Sequence, residues 1–214
     1  MNKSTDYSAL RKEMVFTQIM GRGISDKRVI EAMQKVARHL FVDKAYITRA
    51  YDDKPLPIGY NQTISQPYII AFMLEQVKLK PTDKVLDIGF GCGYQSAILA
   101  EICKEVCSIE IISKLFTLGK NNLSSAGYTN VNCRNSDGYE GMPDHAPFNA
   151  IIVAAASKTV PTPLLQQLKL NGSLIAPIGP KGGTQQLKLF TKSVNGITEK
   201  NLIQVRFVPF MRHQ

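Results

Sequence analysis

The stretch Val85–Tyr94, which reads Val-Leu-Asp-Ile-Gly-Phe-Gly-Cys-Gly-Tyr, constrains the fold of this chain more than any other segment. Its apolar start predicts a buried strand, and its three glycines at alternate positions predict a tight turn that opens a helix. Because glycine lacks a Cβ, such a turn lets a ligand approach the backbone closely. The glycines could instead serve only the turn itself, so the stretch predicts a nucleotide-type binding turn without proving one.

Beyond Pro81, short apolar runs alternate with helical stretches, a pattern typical of βαβ units and a parallel sheet. We predict strands at 84–88, 105–110, 130–134, 148–154 and 173–178, and helices at 93–102, 113–126 and 161–169. Segments 186–193 and 197–207 flank the turn pair Asn195-Gly196 and predict an antiparallel hairpin. The predicted fold is therefore α/β, with a doubly wound, mostly parallel, Rossmann-like sheet that ends in antiparallel strands.

The part of the chain before this core predicts helices and a long loop. Amphipathic helices are expected at 7–20 and 26–37, the second capped by Ser25 or Asp26, and another helix at 68–77. Residues 51–67 are rich in proline and glycine and predict an irregular loop. The run Asn61–Tyr68 mixes amides and hydroxyls with a proline, fits no regular element, and is a candidate substrate gate before the glycine turn.

Length and composition favour one domain, because 214 residues with 44% hydrophobic content can bury one substantial core. We divide it into an N-terminal helical and loop cap over 1–80, a cofactor-binding α/β core over 81–180 and C-terminal antiparallel strands over 181–214. The segment Met1–Asp6 has no apolar region, and no stretch approaches eighteen apolar residues. We therefore expect a cytoplasmic protein that does not engage membranes.

The formal charge of +9 favours anionic partners such as nucleic acid, but the basic residues are dispersed and could simply solvate the surface. The cysteines and histidines lack the spacing of a zinc site or a disulfide framework. They are Cys92, Cys103, Cys107, Cys133, His39, His145 and His213. We predict no metal site.

Acidic residues after successive strands strengthen the case for a cofactor site. Glu110 ends the strand after the glycine turn, at about the spacing where an acid accepts hydrogen bonds from ribose hydroxyls. Asp137-Gly138 follows the third strand, level with an adenine ring, although Asp-Gly is also a common turn pair.

Asp87 helps to separate two cofactor classes. A carboxylate at the end of the first strand would repel the pyrophosphate of a nicotinamide dinucleotide. S-adenosylmethionine has no phosphate, and its sulfonium and ammonium groups would be attracted. Asp87 therefore favours methyl transfer, although an Asp at this place could also only cap a helix or a turn.

At this point the chain resembles protein-L-isoaspartate O-methyltransferases almost from end to end. The most specific segments are Thr63–Tyr68 and Val205–Pro209, which read Thr-Ile-Ser-Gln-Pro-Tyr and Val-Arg-Phe-Val-Pro. Further matching segments are Arg22-Gly23-Ile24, Leu56-Pro57-Ile58-Gly59, Val85–Tyr94, Ala146-Pro147-Phe148 and Ile151-Ile152-Val153. The glycine turn alone marks only the broad class of methyltransferases.

The resemblance implies methyl transfer from S-adenosylmethionine, which leaves S-adenosylhomocysteine, to the free α-carboxyl of L-isoaspartyl and, more weakly, D-aspartyl residues. In the family, the methyl ester closes to a succinimide that partly reopens to normal aspartate, so damaged proteins and peptides are repaired. The partners implied are isoaspartyl proteins and peptides, with no nucleic acid and no membrane, and the enzyme is expected to be a monomer.

The family's functional positions fall on matching residues here. Ser65 matches the active-site serine, and Val208 falls in the segment along the substrate peptide. The positions that imply cofactor contacts are Thr63, Ile64, Ser65, Asp87, Gly89, Gly91, Gly93, Glu110, Asp137 and Gly138.

The chain departs from the bacterial pattern at several of these segments. Asp87 replaces a common Glu and keeps its charge, and Asn61 replaces a usual Gly. The other departures are Phe90, Cys92, Ile111 and Ala154. Asn61 is the departure we expect to matter, through loop mobility or substrate tolerance, because Asn tolerates positive φ but adds a side chain at the gate.

The implied chemistry needs no general base, because a carboxylate is already ionised at neutral pH. We therefore expect Ser65 to orient the substrate carboxylate by a hydrogen bond, while a lid over 51–67 excludes water. Val205–Phe210 could pair with a peptide if it forms an edge strand. Arg206 could hold a carboxylate, but strand alternation favours a solvated position.

Three alternatives stay open at this stage. A nucleic-acid methyltransferase would suit the basic charge, but the sequence contains no basic and aromatic cluster. An oxidoreductase that uses a nicotinamide cofactor is disfavoured by Asp87. A catalytically silent family member is permitted by the departures.

Overall fold

The computed structural model describes residues 5–212; the sequence-based statements on Met1–Ser4 and on His213 concern residues outside this range. The large sheet contains β3 (Lys84–Ile88), β4 (Glu105–Glu110), β5 (Val131–Asn135), β6 (Phe148–Val153), β7 (Leu168–Ile178), β8 (Gln185–Ser193) and β9 (Gly196–Val205). Their order is β5-β4-β3-β6-β7-β8-β9, parallel from β5 to β7 and antiparallel at β8 and β9. The predicted doubly wound sheet with a C-terminal hairpin is confirmed.

The helices are α1 (Tyr7–Glu13), α2 (Lys27–Lys35), α3 (Pro67–Gln76), α4 (Tyr94–Ile102), α5 (Ser113–Ser125) and α6 (Thr162–Gln166). Single helical turns lie at Met14–Ile19, Met20–Arg22, Arg38–Leu40, Lys44–Arg49 and Pro143–His145. The predicted helix at 7–20 is α-helical only to Glu13 and then widens into a π-helical turn. Asp26 caps α2, since its carboxylate accepts from the backbone N–H of Arg28.

The core lies on both faces of the large sheet, because successive residues of its central strands point to opposite sides. Val85 belongs to the larger apolar cluster, which includes α1, α2, α3 and α4, and Leu86 belongs to a second cluster with Phe148 and Leu164. Strands buried on both faces read as continuous apolar runs, which explains why these strands were predictable. Both proposed boundaries, at 80 and 180, fall in loops.

The prediction that residues 51–67 form an irregular loop was wrong in one part. β1 (Leu56–Gly59) and β2 (Gln62–Ile64) form a separate antiparallel hairpin, and α3 starts at Pro67. Tyr60 and Asn61 turn the hairpin with φ of 53° and 55°. A turn with two positive φ angles suits a two-residue hairpin, and Asn tolerates this conformation, so the amide-rich run encodes a turn.

Two other boundaries differ from the prediction because of long-range hydrogen bonds. The predicted helix at 161–169 ends at Gln166, since the carbonyl of Gln167 accepts from Phe148 N–H and Leu168 pairs with β6. Strand β9 ends at Val205, so Val205–Phe210 is not an edge strand. Ala156 instead exchanges backbone hydrogen bonds of 2.8 Å with Val208 and Phe210.

Candidate active site

A cavity opens where β3 and β4 end, and we call it the glycine-turn cavity. Its walls are the glycine turn at 89–92, the end of β4 with residues 110–112, the hairpin residues 62–65 and the C-terminal residues 208–211. Ligands of open α/β sheets bind at this edge of the sheet, outside the carboxyl ends of the strands.

Most of the residues predicted for the site line this cavity: Thr63, Ile64, Ser65, Gly89, Gly91, Glu110, Gly138 and Val208. Asp87, Gly93 and Asp137 lie behind its surface. The structure therefore brings together segments that are far apart in the sequence and moves part of the methyltransferase motif into a supporting position.

Glu110 is held at the cavity by the backbone of the glycine turn. Its two carboxylate oxygens accept from Gly91 N–H at 3.0 Å and from Ile112 N–H at 2.9 Å. Burial raises the pKa of Glu110, and these backbone hydrogen bonds oppose that change. Because a carboxylate offers about four acceptor positions, Glu110 can still accept hydrogen bonds from two ligand hydroxyls.

Asp87 is fully buried below the glycine turn. Its oxygens accept from Gln95 Nε2 at 2.7 Å and from Ser96 Oγ at 2.6 Å. Burial raises its pKa to about 6, although both hydrogen bonds favour the ionised form. Asp87 therefore does not line the cavity and holds the first turn of α4.

Gln95 was not predicted from the sequence, yet its side chain lines the cavity and joins it to Asp87. Since the amide nitrogen donates to the carboxylate, the amide oxygen is the atom left to accept from a ligand. Its position one turn after the glycines, with a carboxylate eight residues before it, could have pointed to this role.

Gly93, the third glycine of the turn, does not line the cavity, and its role is in packing. It has a φ of 91°, and a Cβ there would lie 2.9 Å from the backbone oxygen of Gly119 in α5. The residue therefore permits both the sharp entry to α4 and the close approach of α5.

Asp137 anchors the C-terminal segment beside the cavity. Its carboxylate accepts from Tyr139 N–H and pairs with Arg212 Nε at 2.7 Å, and the Arg212 guanidinium lies 3.6 Å from the centre of the Tyr139 ring. Sequence reasoning did not identify Arg212. Asp137, which we expected beside the adenine, thus holds the C-terminal segment whose residues 208–211 line the cavity.

A second cavity of about 590 Å³ adjoins the first and shares Thr63, Ser65, Ala154 and Val208 with it. Residues of β9 and the segment after it, including the exposed Arg206, form its other side. Ser65 is half-buried and lines both cavities, and its hydroxyl has no hydrogen-bond partner in residues 5–212. It is therefore available to a bound molecule.

The departures from the family pattern occupy different places. Phe90, Cys92, Ile111 and Ala154 line the glycine-turn cavity, whereas Asn61 is exposed and lines neither cavity. Burial raises the pKa of Cys92 to about 11, so its side chain is a neutral thiol at pH 7.

Three potential metal ligands meet at the opposite end of β4, although no metal site was predicted. Donor atoms of Glu105, Cys107 and His145 lie within 4.8 Å of one another. Burial raises the pKa of the Cys107 thiol to about 12, and this thiol lies 3.9 Å from Glu105 Oε1. A thiol that already has a carboxylate acceptor needs no ion, so we keep the prediction of no metal.

Comparisons with known proteins agree with this geometry. A family model described as Protein-L-isoaspartate(D-aspartate) O-methyltransferase (PCMT) matches residues 10–214. The chain is 48% identical to a protein-L-isoaspartate O-methyltransferase of Synechococcus sp., covering 97% of this chain and 88% of the relative. Identity to the enzyme of Gloeobacter violaceus is 46%, covering 94% and 98%.

Solved structures extend the same relationship. A putative protein-L-isoaspartate O-methyltransferase of Plasmodium falciparum, in complex with S-adenosyl-L-homocysteine, superposes with a TM-score of 0.82 at 26% identity, covering 98% of this chain and 100% of the solved chain. Another protein-L-isoaspartate O-methyltransferase gives 0.85 at 29% identity, covering 93% of this chain and 65% of that one. The fold, the residues around the cavity and the match over 10–214 together show that this chain belongs to the protein-L-isoaspartate O-methyltransferase family.

Proposed function

We propose that this chain transfers a methyl group from S-adenosylmethionine to the free α-carboxyl of L-isoaspartyl, and also D-aspartyl, residues in damaged proteins and peptides, which initiates their repair. Ser65 is the observation that carries the proposal. Ser65 lines both adjoining cavities and its hydroxyl has no partner in residues 5–212, so it can reach a molecule in either one.

The glycine-turn cavity has the donor and acceptor set that this cofactor needs. Glu110 has spare acceptor positions for ribose hydroxyls, and Gln95 offers an amide oxygen to an ammonium group. The two acidic side chains, Asp87 and Glu110, favour a cation over a phosphate. When bound, S-adenosylmethionine supplies an electrophilic methyl group on a positively charged sulfur.

Ser65 is assigned the role of donating a hydrogen bond to the incoming carboxylate. That carboxylate is ionised at neutral pH, so no side chain has to remove a proton from it. Correct alignment and exclusion of water are what the protein must provide. We assign water exclusion to the β1–β2 hairpin and to residues 208–211, which both line the cavity and meet at Gln62 and Met211.

The second cavity is assigned to the substrate peptide. Val208 and Phe207 offer it an apolar wall, and the exposed Arg206 lies at its side. A peptide cannot pair with the whole segment Val205–Phe210, because Val208 and Phe210 already bond to Ala156. A peptide can therefore contact this segment through its side chains and through the backbone groups that Ala156 leaves free.

The alternative of a nucleic-acid methyltransferase is not favoured, because the family match extends over residues 10–214. Within residues 5–212, no helix combines the length and the apolarity needed to cross a bilayer. We propose a cytoplasmic monomer that acts on proteins and peptides.

Labelled S-adenosylmethionine tests this function when it is incubated with the protein and matched peptides that contain isoaspartate or aspartate. Base-labile label on the isoaspartyl peptide alone is expected. Ser65→Ala should lower turnover about 100-fold, since one lost donor at a reacting group costs roughly that much, with cofactor affinity little changed. Ser125→Ala, at the exposed end of α5, is the matched control. Stable label on RNA and none on the peptide would favour the alternative.

A further inference from the structure

Asp53, in the loop before β1, gathers groups from two separate parts of the chain. Its Oδ2 accepts from Arg22 Nη1 at 2.6 Å and from Gln66 Nε2 at 2.8 Å, and its Oδ1 accepts from the backbone N–H of Tyr68 at 3.3 Å. Gln66 Nε2 also lies 3.0 Å from the backbone oxygen of Asp53. Asp53 thus holds two residues that follow Ser65 within three positions.

Arg22 closes this arrangement from the other side. Its guanidinium carbon lies 3.5 Å from the centre of the Tyr68 ring, so the same side chain contacts both Asp53 and the first turn of α3. The Arg22 side chain is 44% exposed and that of Asp53 is 23% exposed. An ion pair so open to solvent contributes little to stability, so its main effect is on geometry.

Ser65 itself lies between two fixed points. Before it, Ile64 pairs with Leu56 in the β1–β2 hairpin, and after it, Gln66 is held by Asp53. Neither Asp53 nor Arg22 lines either of the two cavities. Their contacts reach the second cavity through Gln66, the residue next to Ser65, and through the first turn of α3.

We infer that Asp53 is a positioning residue for Ser65, which holds the serine hydroxyl where it can donate to the substrate carboxylate. The inference rests on the proposed function. The competing explanation is that Asp53 only caps α3, since a carboxylate that accepts from N–H groups near a helix N-terminus stabilises the helix.

Kinetics of Asp53→Ala separate these explanations. Loss of the three hydrogen bonds should lower kcat about 10-fold to 100-fold, because small misplacements of a reacting group have effects of this size. The dissociation constant of S-adenosylmethionine should change less than twofold. Asp53→Asn keeps an acceptor but loses the charge that faces Arg22, and should give an intermediate kcat.

Asp52→Ala is the matched control. Asp52 is the neighbouring residue, and within residues 5–212 its carboxylate pairs with Arg49 and Lys54 and makes no hydrogen bond to Gln66 or Tyr68. This variant should keep the kcat of the parent. Should Asp53→Ala fail to fold, Arg22→Ala removes an exposed part of the same arrangement and should lower kcat in the same direction.

A double-mutant cycle with Ser65→Ala decides the matter. If Asp53 acts through Ser65, adding Asp53→Ala to Ser65→Ala should lower kcat by less than twofold. The inference would be overturned if the effects of Asp53→Ala and Ser65→Ala on kcat multiply in the double variant, or if Asp53→Ala alone keeps the parental kcat. A parent without methyl transfer overturns the proposed function together with the inference, whereas an active parent with an equally active Asp53→Ala variant overturns only the inference.

Discussion

The two walls of the active site are built in different ways. On the cofactor side, hydrogen bonds join residues that are close in sequence: Gln95 to Asp87 across 8 positions and Gly91 to Glu110 across 19. The other wall, which we call the substrate wall, is formed by the β1–β2 hairpin and the C-terminal residues that border both cavities. Within it, Gln62 Nε2 lies 3.9 Å from Met211 Sδ across 149 positions.

This difference in range corresponds to a difference in burial. Asp87 is fully buried and Glu110 is 5% exposed, whereas Ser65 is half-buried and Thr63, which lines both cavities, is exposed. The cofactor wall is therefore a preformed part of the core, and the substrate wall is an assembly of surface segments. Mutations on the cofactor wall should alter the stability of the protein and its affinity for the cofactor. Mutations on the substrate wall should either lower turnover or have no measurable effect.

The largest effect is expected from the pH dependence of Asp87. Its pKa is about 6 in the folded protein and 3.8 in the unfolded chain, so the folded state binds more protons between these values. Stability contributed by protonated Asp87 is present below about pH 4 and is lost as the pH rises to about 6. One pKa unit corresponds to about 1.4 kcal/mol, so the loss approaches about 3 kcal/mol.

Urea unfolding of the parent and of Asp87→Asn between pH 4 and 7 measures this effect. Relative to the parent, the variant should gain up to about 3 kcal/mol across the range, because Asn does not titrate. If the difference in free energy of unfolding between the two proteins stays constant with pH, Asp87 is not the buried titrating group. The proposed difference in burial between the two walls would then lose its main support.

A smaller effect is expected from Glu110→Gln. The amide can accept from only one of the two backbone N–H groups and carries no charge, so cofactor affinity should fall about 10-fold to 50-fold, or about 1.4 to 2.3 kcal/mol. Isothermal titration with S-adenosylhomocysteine measures it, and the peptide KM at saturating cofactor should stay within twofold. Glu105→Gln, at the other end of β4, is the control, and an equal loss there would contradict the assignment.

The smallest effect is expected from Asn61→Gly, which restores the usual family residue. Both residues adopt the positive φ of the turn, so the free energy of unfolding should change by less than about 0.5 kcal/mol. Because the Asn61 side chain lines neither cavity, kcat/KM for several isoaspartyl peptides should stay within twofold. A change limited to some peptides would show that the hairpin tip reaches the substrate, as the sequence had led us to expect.

The elements that were predicted best are those governed by local pattern. Strands β3 and β4 match their predicted ranges because each is a short, mostly apolar run that is buried in the parallel sheet. The β1–β2 hairpin was missed because its strands are short and its turn uses Tyr60 and Asn61 in place of glycine. Helix α6 was predicted to extend beyond its observed end because the helical spacing of leucines continues past Gln166. In the structure, the backbone of Gln167 and Leu168 pairs with β6 and ends the helix.

Residue types and their spacing were enough to predict the strands of the parallel core, the glycine turn and a carboxylate at the end of β4, because these features follow from local pattern. Tertiary structure alone decided that Asp87 faces Gln95 and Ser96 instead of the cavity, that Arg212 pairs with Asp137, and that Asp53 holds Gln66. Each of these contacts depends on the direction of a side chain or on chain segments that meet only after folding. Even where the partners are only 8 or 13 positions apart, as for Asp87 with Gln95 and Asp53 with Gln66, packing of the whole chain sets the side-chain directions that make these contacts.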